Sequence, residues 1–375
     1  TPYRAFALSK WKEQTKKWNW RKENMKKKLA LALSMVMILS LALTGCGNND
    51  KGSNTSSTSG GSNTSASTST PNNETPSGEK VDITIATGST SANYYAIGNV
   101  MATVLNPVLT KGNIGVTSTG ASAANVQLLQ DNEVNFAIIQ NDVAYYAATG
   151  TDLFDGEDPY EDWGALCALY DEVVQVFTLN PDIKTFTDLK GKTVSVGASG
   201  SGDNFAAGQI FAEFGMTFND VNPVYQSYSD SAEGMKDGKI DAAFCVSGAP
   251  TTALVDLAAT ANKPLNVITL EDEHIENLMA AYPFYAKTVI PAGTYDGLDR
   301  DTTTVSIRAM LVCRNDVPED VVYELMTAMF DNQASLADGH AKFKELSLEG
   351  AVAGVSIPYH PGAEKYLTEQ GATLS

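Results

Sequence analysis

The stretch Val81-Asp82-Ile83-Thr84-Ile85-Ala86-Thr87-Gly88 decides the fold class. Val81, Ile83 and Ile85 alternate with polar residues, which lines three apolar side chains along one face of a strand, and Gly88 supplies a turn. Downstream, Tyr95, Ile97, Val100, Met101, Val104 and Leu105 recur at helical spacing, so residues 94–109 read as a helix stopped near Pro107. Residues 114–119 read as a second strand, and 123–129 as a helix with Ser122 as its capping candidate. A third strand over 136–140 leads into a helix over 142–148. Strand–helix alternation of this kind predicts an open, mainly parallel α/β sheet.

The pattern then recurs. Strands are expected at 174–179, 193–196, 240–246 and 265–270, with helices at 204–214, 231–237 and from Pro250 to about 260. Residues 186–192 read as a short helix and turn, and 304–313 as a late strand returning to the first unit. A helix over 321–334 and the turn Tyr359-His360-Pro361-Gly362 close the chain. Two α/β units joined by a returning strand predict two lobes around a cleft. In such sheets ligands bind at the carboxyl ends of the strands. Three loops stand there, each before a predicted helix: Thr87-Gly88-Ser89, Gln140-Asn141-Asp142 and Ser199-Gly200-Ser201-Gly202. Helix starts present free N–H groups and a partial positive charge, which suits an anionic ligand.

Charge is unevenly distributed. The 375 residues carry a formal net charge of −18, yet residues 1–28 hold ten Lys and Arg against two Glu, so the remainder carries −26. An acidic body repels phosphate backbones, which argues against nucleic acid as a partner. Cys46, Cys167, Cys245 and Cys313 form no Cys-x-x-Cys pair, and His274, His340 and His360 are dispersed. Clustered ligands are therefore missing from the sequence, and neither a metal nor a cofactor is expected.

The amino-terminal region addresses location. Met25-Lys26-Lys27-Lys28, an apolar run over 29–43 and Leu43-Thr44-Gly45-Cys46 have the layout of a secretory signal. The apolar run is shorter than the roughly 20 residues that span a bilayer. A Cys directly after Leu-Thr-Gly resembles the bacterial lipobox, which makes Cys46 the expected lipidation site. Residues 25–45 are thus expected to be a lipoprotein signal peptide, and 1–24 an extension upstream of the true start. Residues 46–80, rich in Ser, Thr, Gly and Asn, are expected to be a flexible tether. The body would then sit outside the cytoplasm, lipid-anchored at the outer face of the cell membrane. With Cys46 lipidated, the other cysteines read as buried free thiols, with one disulfide plus a free thiol as the alternative.

The run Thr87-Gly88-Ser89-Thr90-Ser91-Ala92-Asn93-Tyr94-Tyr95-Ala96-Ile97-Gly98 resembles the opening motif of the TAXI family, Thr-Gly-x-x-Gly-Gly-x-Tyr-Tyr-x-x-Gly, with Ser91 and Ala92 in place of two glycines. Members of that family are solute-binding subunits of tripartite ATP-independent periplasmic (TRAP) transporters. Ser118-Thr119-Gly120-Ala121-Ser122-Ala123-Ala124-Asn125 looks like its Thr-Gly-x-Ser-x-x-Asn segment, and Gln140-Asn141-Asp142-Val143-Ala144 like its Gln-x-Asp-x-Ala turn. The segments 189–202 and 238–250 are similar to type II binding proteins more widely.

The resemblance covers nearly everything after residue 80. It implies an α/β, two-lobed, type II periplasmic-binding-protein-like fold with a ligand cleft between lobes, lobe 1 being 81–177 with 300–375 and lobe 2 being 178–299. It implies TRAP membrane permease subunits as partners and a small anionic solute such as glutamate or a dicarboxylate. Matched site positions are Thr87, Gly88, Ser89, Tyr95, Ser122, Asn125, Gln140, Asp142, Ser199, Ser201 and Gly202.

Each position has two readings. Ser122 and Asn125 either donate to a ligand carboxylate or serve a helix start. Tyr94 and Tyr95 either wall the ligand or pack their helix. Asp142 either pairs with a ligand ammonium or caps its own helix. The 199–202 loop either holds an anion or is a structural turn. Catalysis is not expected: Gly197-Ala198-Ser199-Gly200-Ser201 lacks the final Gly of a nucleophile elbow, and Gly200-Ser201-Gly202 lacks the third Gly of a dinucleotide site. The remaining alternative is a binding protein of an ATP-driven (ABC) importer or a sensor kinase.

Overall fold

The computed structural model describes residues 80–374. The expected signal peptide, Cys46 and nearly all of the expected tether lie outside the described residues.

The chain opens β1 (Val81–Ala86), α1 (Asn93–Leu105), β2 (Gly112–Thr117), α2 (Ser122–Gln130), β3 (Phe136–Gln140) and α3 (Asn141–Thr149). β2 and β3 flank β1 in parallel register, Ile83 facing Ile114 and Ile85 facing Phe136. β4 (Trp163–Thr178) crosses into a second unit, β5 (Thr193–Ser195), α4 (Gly202–Glu213), β6 (Asn222–Val224), α5 (Tyr228–Lys236), β7 (Ala242–Ser247) and α6 (Thr252–Thr260), in which β5 lies parallel between β6 and β7. β8 (Asn266–Val267), α7 (Asp272–Ala281) and β9 (Ala286–Ile290) lead to β10 (Thr302–Arg314). Helices α8 (Glu319–Asp331), α9 (Gln333–Gly339), α10 (Leu348–Val352) and α11 (Pro361–Glu369) complete the described chain.

The sheet runs β2-β1-β3-β10-β4-β7-β5-β6, with β8 on β4 and β9 on β10. Its outer thirds are parallel, but the centre is not: β10 is antiparallel to both β3 and β4, and β4 is antiparallel to β7. The expectation of a mainly parallel sheet is corrected on this point. A long crossover and a returning strand enter the middle head-on, and antiparallel pairing accommodates them.

β4 and β10 belong to both ends of the sheet. The first part of β4 pairs with β10, while Val173–Thr178 pair with β7; β10 pairs first with β9 and then with β3. Their mutual register slips between Ala309 and Met310 and again between Leu311 and Val312, so β4 carries extra residues where the two strands cross. The cores divide accordingly. Two clusters sandwich the β2-β1-β3 end, one around Ile83, Met101 and Leu325, the other around Ala137, Val143 and Val312. Two more sandwich the β7-β5-β6 end, around Phe211 and Phe244 and around Leu254 and Val267. Cys167, Cys245 and Cys313 are buried free thiols within these cores.

β4 begins well before residue 174, where the sequence pattern placed it. It is buried on both faces except at Asp171, so the two-residue alternation that marks a half-exposed strand is missing. α7 and β9 escaped the pattern for the opposite reason: α7 buries only Ile275 and Leu278, and β9 is an edge strand largely in solvent.

Candidate functional site

The carboxyl ends of the strands from both ends of the sheet converge on one cavity of about 70 Å³. The β1–α1 loop gives Gly88, Ser89 and Ala92, and α1 gives Tyr94; the β2–α2 connection gives Thr119, Gly120, Ala121 and Ser122. Gln140 ends β3 and Glu172 comes from the middle of β4. From the other end come Ala198, Ser201, Gly202 and Asp203 at the start of α4, Gln226, Ser227 and Tyr228 at the start of α5, and Val246 and Ser247 at the end of β7. Water occupies about 10–15 Å³ on this measure, so the cavity has room for a handful of solvent-sized groups.

Five helices begin at its wall, α1 to α5. α4 and α5 are capped by Ser201 and Ser227, whose hydroxyls accept from the Asn204 and Asp230 N–H groups. No side chain caps α1, α2 or α3, and the cap position of α2, Ala121, is held at φ 69°. Ser122 is therefore not the cap of α2. Its hydroxyl accepts from the Gln140 N–H at 3.1 Å, tying the start of α2 to the end of β3.

The other pole is acidic. Tyr94 donates its hydroxyl to Glu172 at 2.8 Å, and the Gln140 amide also hydrogen-bonds this carboxyl. Burial holds Glu172 well above the ordinary carboxylate range and pushes Asp203 up to about 7. Gln140 Oε1 is buried without a partner. It lies so near the Gly202 backbone that a Cβ at 202 would meet it at 1.7 Å, which is why residue 202 has no side chain.

The structure brings together Gly88, Ser89, Tyr94, Ser122, Gln140, Ser201 and Gly202, and it places the other candidates elsewhere. Asn125 is fully buried, and its amide donates to the carbonyls of Thr87 at 2.7 Å and Ile138 at 2.8 Å. It joins β1 to β3 instead of lining the cavity. Thr87 is likewise internal, its hydroxyl donating to the Thr117 carbonyl at 2.7 Å. Tyr95 and Ser199 do not line the cavity; Tyr95 is half-buried and Ser199 exposed. Asp142 is buried within the first turn of α3, where Oδ1 accepts from the Val143 N–H at 2.8 Å, and burial pushes its carboxyl up to about 7.

Glu172, Asp203 and Tyr228 were missed. The available signal was an acidic residue inside the apolar run Trp163–Thr178, since a carboxyl is rarely buried in a strand without a task.

A mixed α/β sheet with two helix-flanked ends and a buried strand-end cavity between them is the class that fold and site define. The chain belongs to the NMT1-like family, whose sequence model matches residues 85–371. Among solved structures it resembles a putative L-cystine ABC transporter protein of Listeria monocytogenes, at 15% identity over 70% of this chain and 95% of that one, with a TM-score of 0.44. It resembles a TctC solute binding protein from Polaromonas at 16% identity, covering 72% and 90% of the two chains, with a TM-score of 0.44. For the periplasmic aliphatic sulphonate binding protein of Escherichia coli the identity is 15%, the coverage 77% and 84%, and the TM-score 0.38. Among the described residues no helix is long and apolar enough to cross a membrane.

Proposed function

We propose that this chain is an extracytoplasmic solute-binding lipoprotein that captures a small organic acid or amino acid and passes it to a TRAP membrane permease. One observation carries the reading: loops from both ends of the sheet close over a small cavity into which buried carboxyl, amide and hydroxyl side chains are gathered, at the strand ends where α/β sheets hold their ligands. The TAXI-like motifs support the transporter type. Gly88, Ser89, Tyr94, Ser122, Gln140, Ser201 and Gly202 are the binding residues on this reading.

The lobes correspond to residues 81–177 with 300–375 and 178–299, joined through β4 and β10, and hinge about those strands to admit solute. Contacts across the cleft mark the closed form: Asn93 donates to the Gly248 carbonyl at 2.9 Å, and Ser229 to Ser91 at 3.3 Å. Cys46 anchors the protein through its lipid.

A melting-temperature screen of the purified chain against amino acids and dicarboxylates tests the reading. A solute present at 100 times its dissociation constant stabilises the folded state by about 2.7 kcal/mol, a shift of a few degrees. A flat response across the whole panel contradicts it. Loss of acyl labelling in Cys46→Ser tests the anchor separately.

A further inference from the structure

Helix starts account for holding an anion, but they do not account for two carboxyls in the same small space. Glu172 is 2% exposed and Asp203 is 7% exposed, and both line the cavity. Among the described residues no Lys, Arg or His lines it. The Lys342 ammonium, 6.0 Å from the Tyr170 ring, is paired with Glu345 at 2.6 Å, and Arg308 is engaged by Asp171 and the Gly350 carbonyl. The acidic pole therefore has no cation of its own.

The second observation is Gln140. Its amide N–H groups are the part that can serve the Glu172 carboxyl, which leaves the oxygen over Gly202. Among the described residues that oxygen has no donor, and it is a buried acceptor on a side chain that lines the cavity and is only 2% exposed. A buried unpaired acceptor calls for a donor that arrives from outside. The complement is the start of α2, which has no side-chain cap and offers N–H groups to an acceptor.

We propose that the cavity binds a zwitterionic amino acid, its ammonium held by Glu172, Asp203 and the Gln140 oxygen and its carboxylate by the amide groups that open α2. The inference rests on the solute-binding reading and narrows it: the amino group is required, and a dicarboxylate without one is rejected.

Ligand entry displaces a proton. The ionisable groups around the two carboxyls are Tyr94 on α1, Asp142 on α3, Tyr170 on β4, Tyr228 on α5 and Cys245 on β7, and none is a cation. With burial raising Glu172 and Asp203, the empty cavity retains a proton near neutral pH. An entering ammonium favours the ionised carboxylates and expels it.

Calorimetric titration of the purified chain with matched pairs, alanine against propionate and glutamate against glutarate, tests this at pH 6.5 in two buffers of different ionisation enthalpy. The amino member should bind at least tenfold tighter and release protons to the buffer. Glu172→Gln and Asp203→Asn should each weaken it at least tenfold and reduce the proton release. Two variants are used so that a folding defect in one leaves the other informative. Propionate or glutarate binding as tightly as its amino counterpart overturns the inference and leaves the solute-binding reading standing. Binding by no member of either pair, nor by other amino acids and dicarboxylates, overturns both.

Discussion

The side-chain oxygen of Gln140, at the end of β3, reaches across to the backbone of Gly202, the first residue of α4, so closely that a Cβ there would sit 1.7 Å from it. The contact joins the two ends of the sheet inside the cavity and requires a glycine. In Gly202→Ala, Gln140 must leave its place beside Glu172. The expected cost is about 1–3 kcal/mol, the range for an overpacked interior, with the fold retained. Denaturant unfolding of the variant against wild type checks it.

Tyr94 holds Glu172 through a hydroxyl that is itself buried, with a donor–acceptor separation of 2.8 Å. Tyr94→Phe preserves the ring and deletes the donor. A buried carboxyl deprived of a partner costs roughly 1–3 kcal/mol, so the variant should melt several degrees lower at pH 7. The difference should shrink as pH falls and Glu172 takes up its proton, since the neutral carboxyl needs the donor less.

Buried carboxyls set the pH dependence. Asp142 and Asp203 are raised to about 7, and Glu172 is raised too, all chiefly by burial. Below about pH 4 both folded and unfolded chains keep these protons and nothing differs. Between about 4 and 7 Asp142 and Asp203 ionise first in the unfolded chain, so the folded state binds more protons and stability falls as pH rises, by at most roughly 4 kcal/mol for each of these two, with Glu172 acting in the same direction. The ligand-free protein should therefore melt higher at pH 5 than at pH 8, and Asp142→Asn should flatten the slope. The exposed or half-exposed acids whose range is lowered, such as Asp316 and Glu324, act in the opposite sense only at lower pH.

Asn93 is 2% exposed and reaches from α1 to the Gly248 carbonyl beyond β7, 155 residues away in sequence. Asn93→Ala removes this bond between the two ends of the sheet, which on the proposed hinge reading belongs to the closed form alone. Losing about 1 kcal/mol from the closed form should weaken solute affinity several-fold. Calorimetric titration reads the loss, and the ligand-free protein should show a larger radius of gyration by X-ray scattering.

The sequence carried the parts whose signals are local. Alternation in Val81–Ala86 and helical spacing through Met101 and Leu105 revealed the first strand–helix unit, and glycine-bearing loops marked the strand ends that form the cavity wall. What escaped depends on tertiary context. β4 is apolar on both faces, so no period shows where it begins. Asn125 and Thr87 have the residue types of ligand donors, yet their hydrogen bonds go to backbone groups of neighbouring strands, a distinction visible only once β1 and β3 are side by side. Glu172 lies 78 residues from Tyr94, and nothing in either neighbourhood announces the other.

The most direct test is the crystal structure of the protein with the solute that raises its melting temperature most. The account predicts that solute inside the cavity, touching Gln140, Glu172 and the first residues of α2 and α4. A solute bound outside that cavity, or one placing a carboxylate against Glu172 and Asp203, would contradict it.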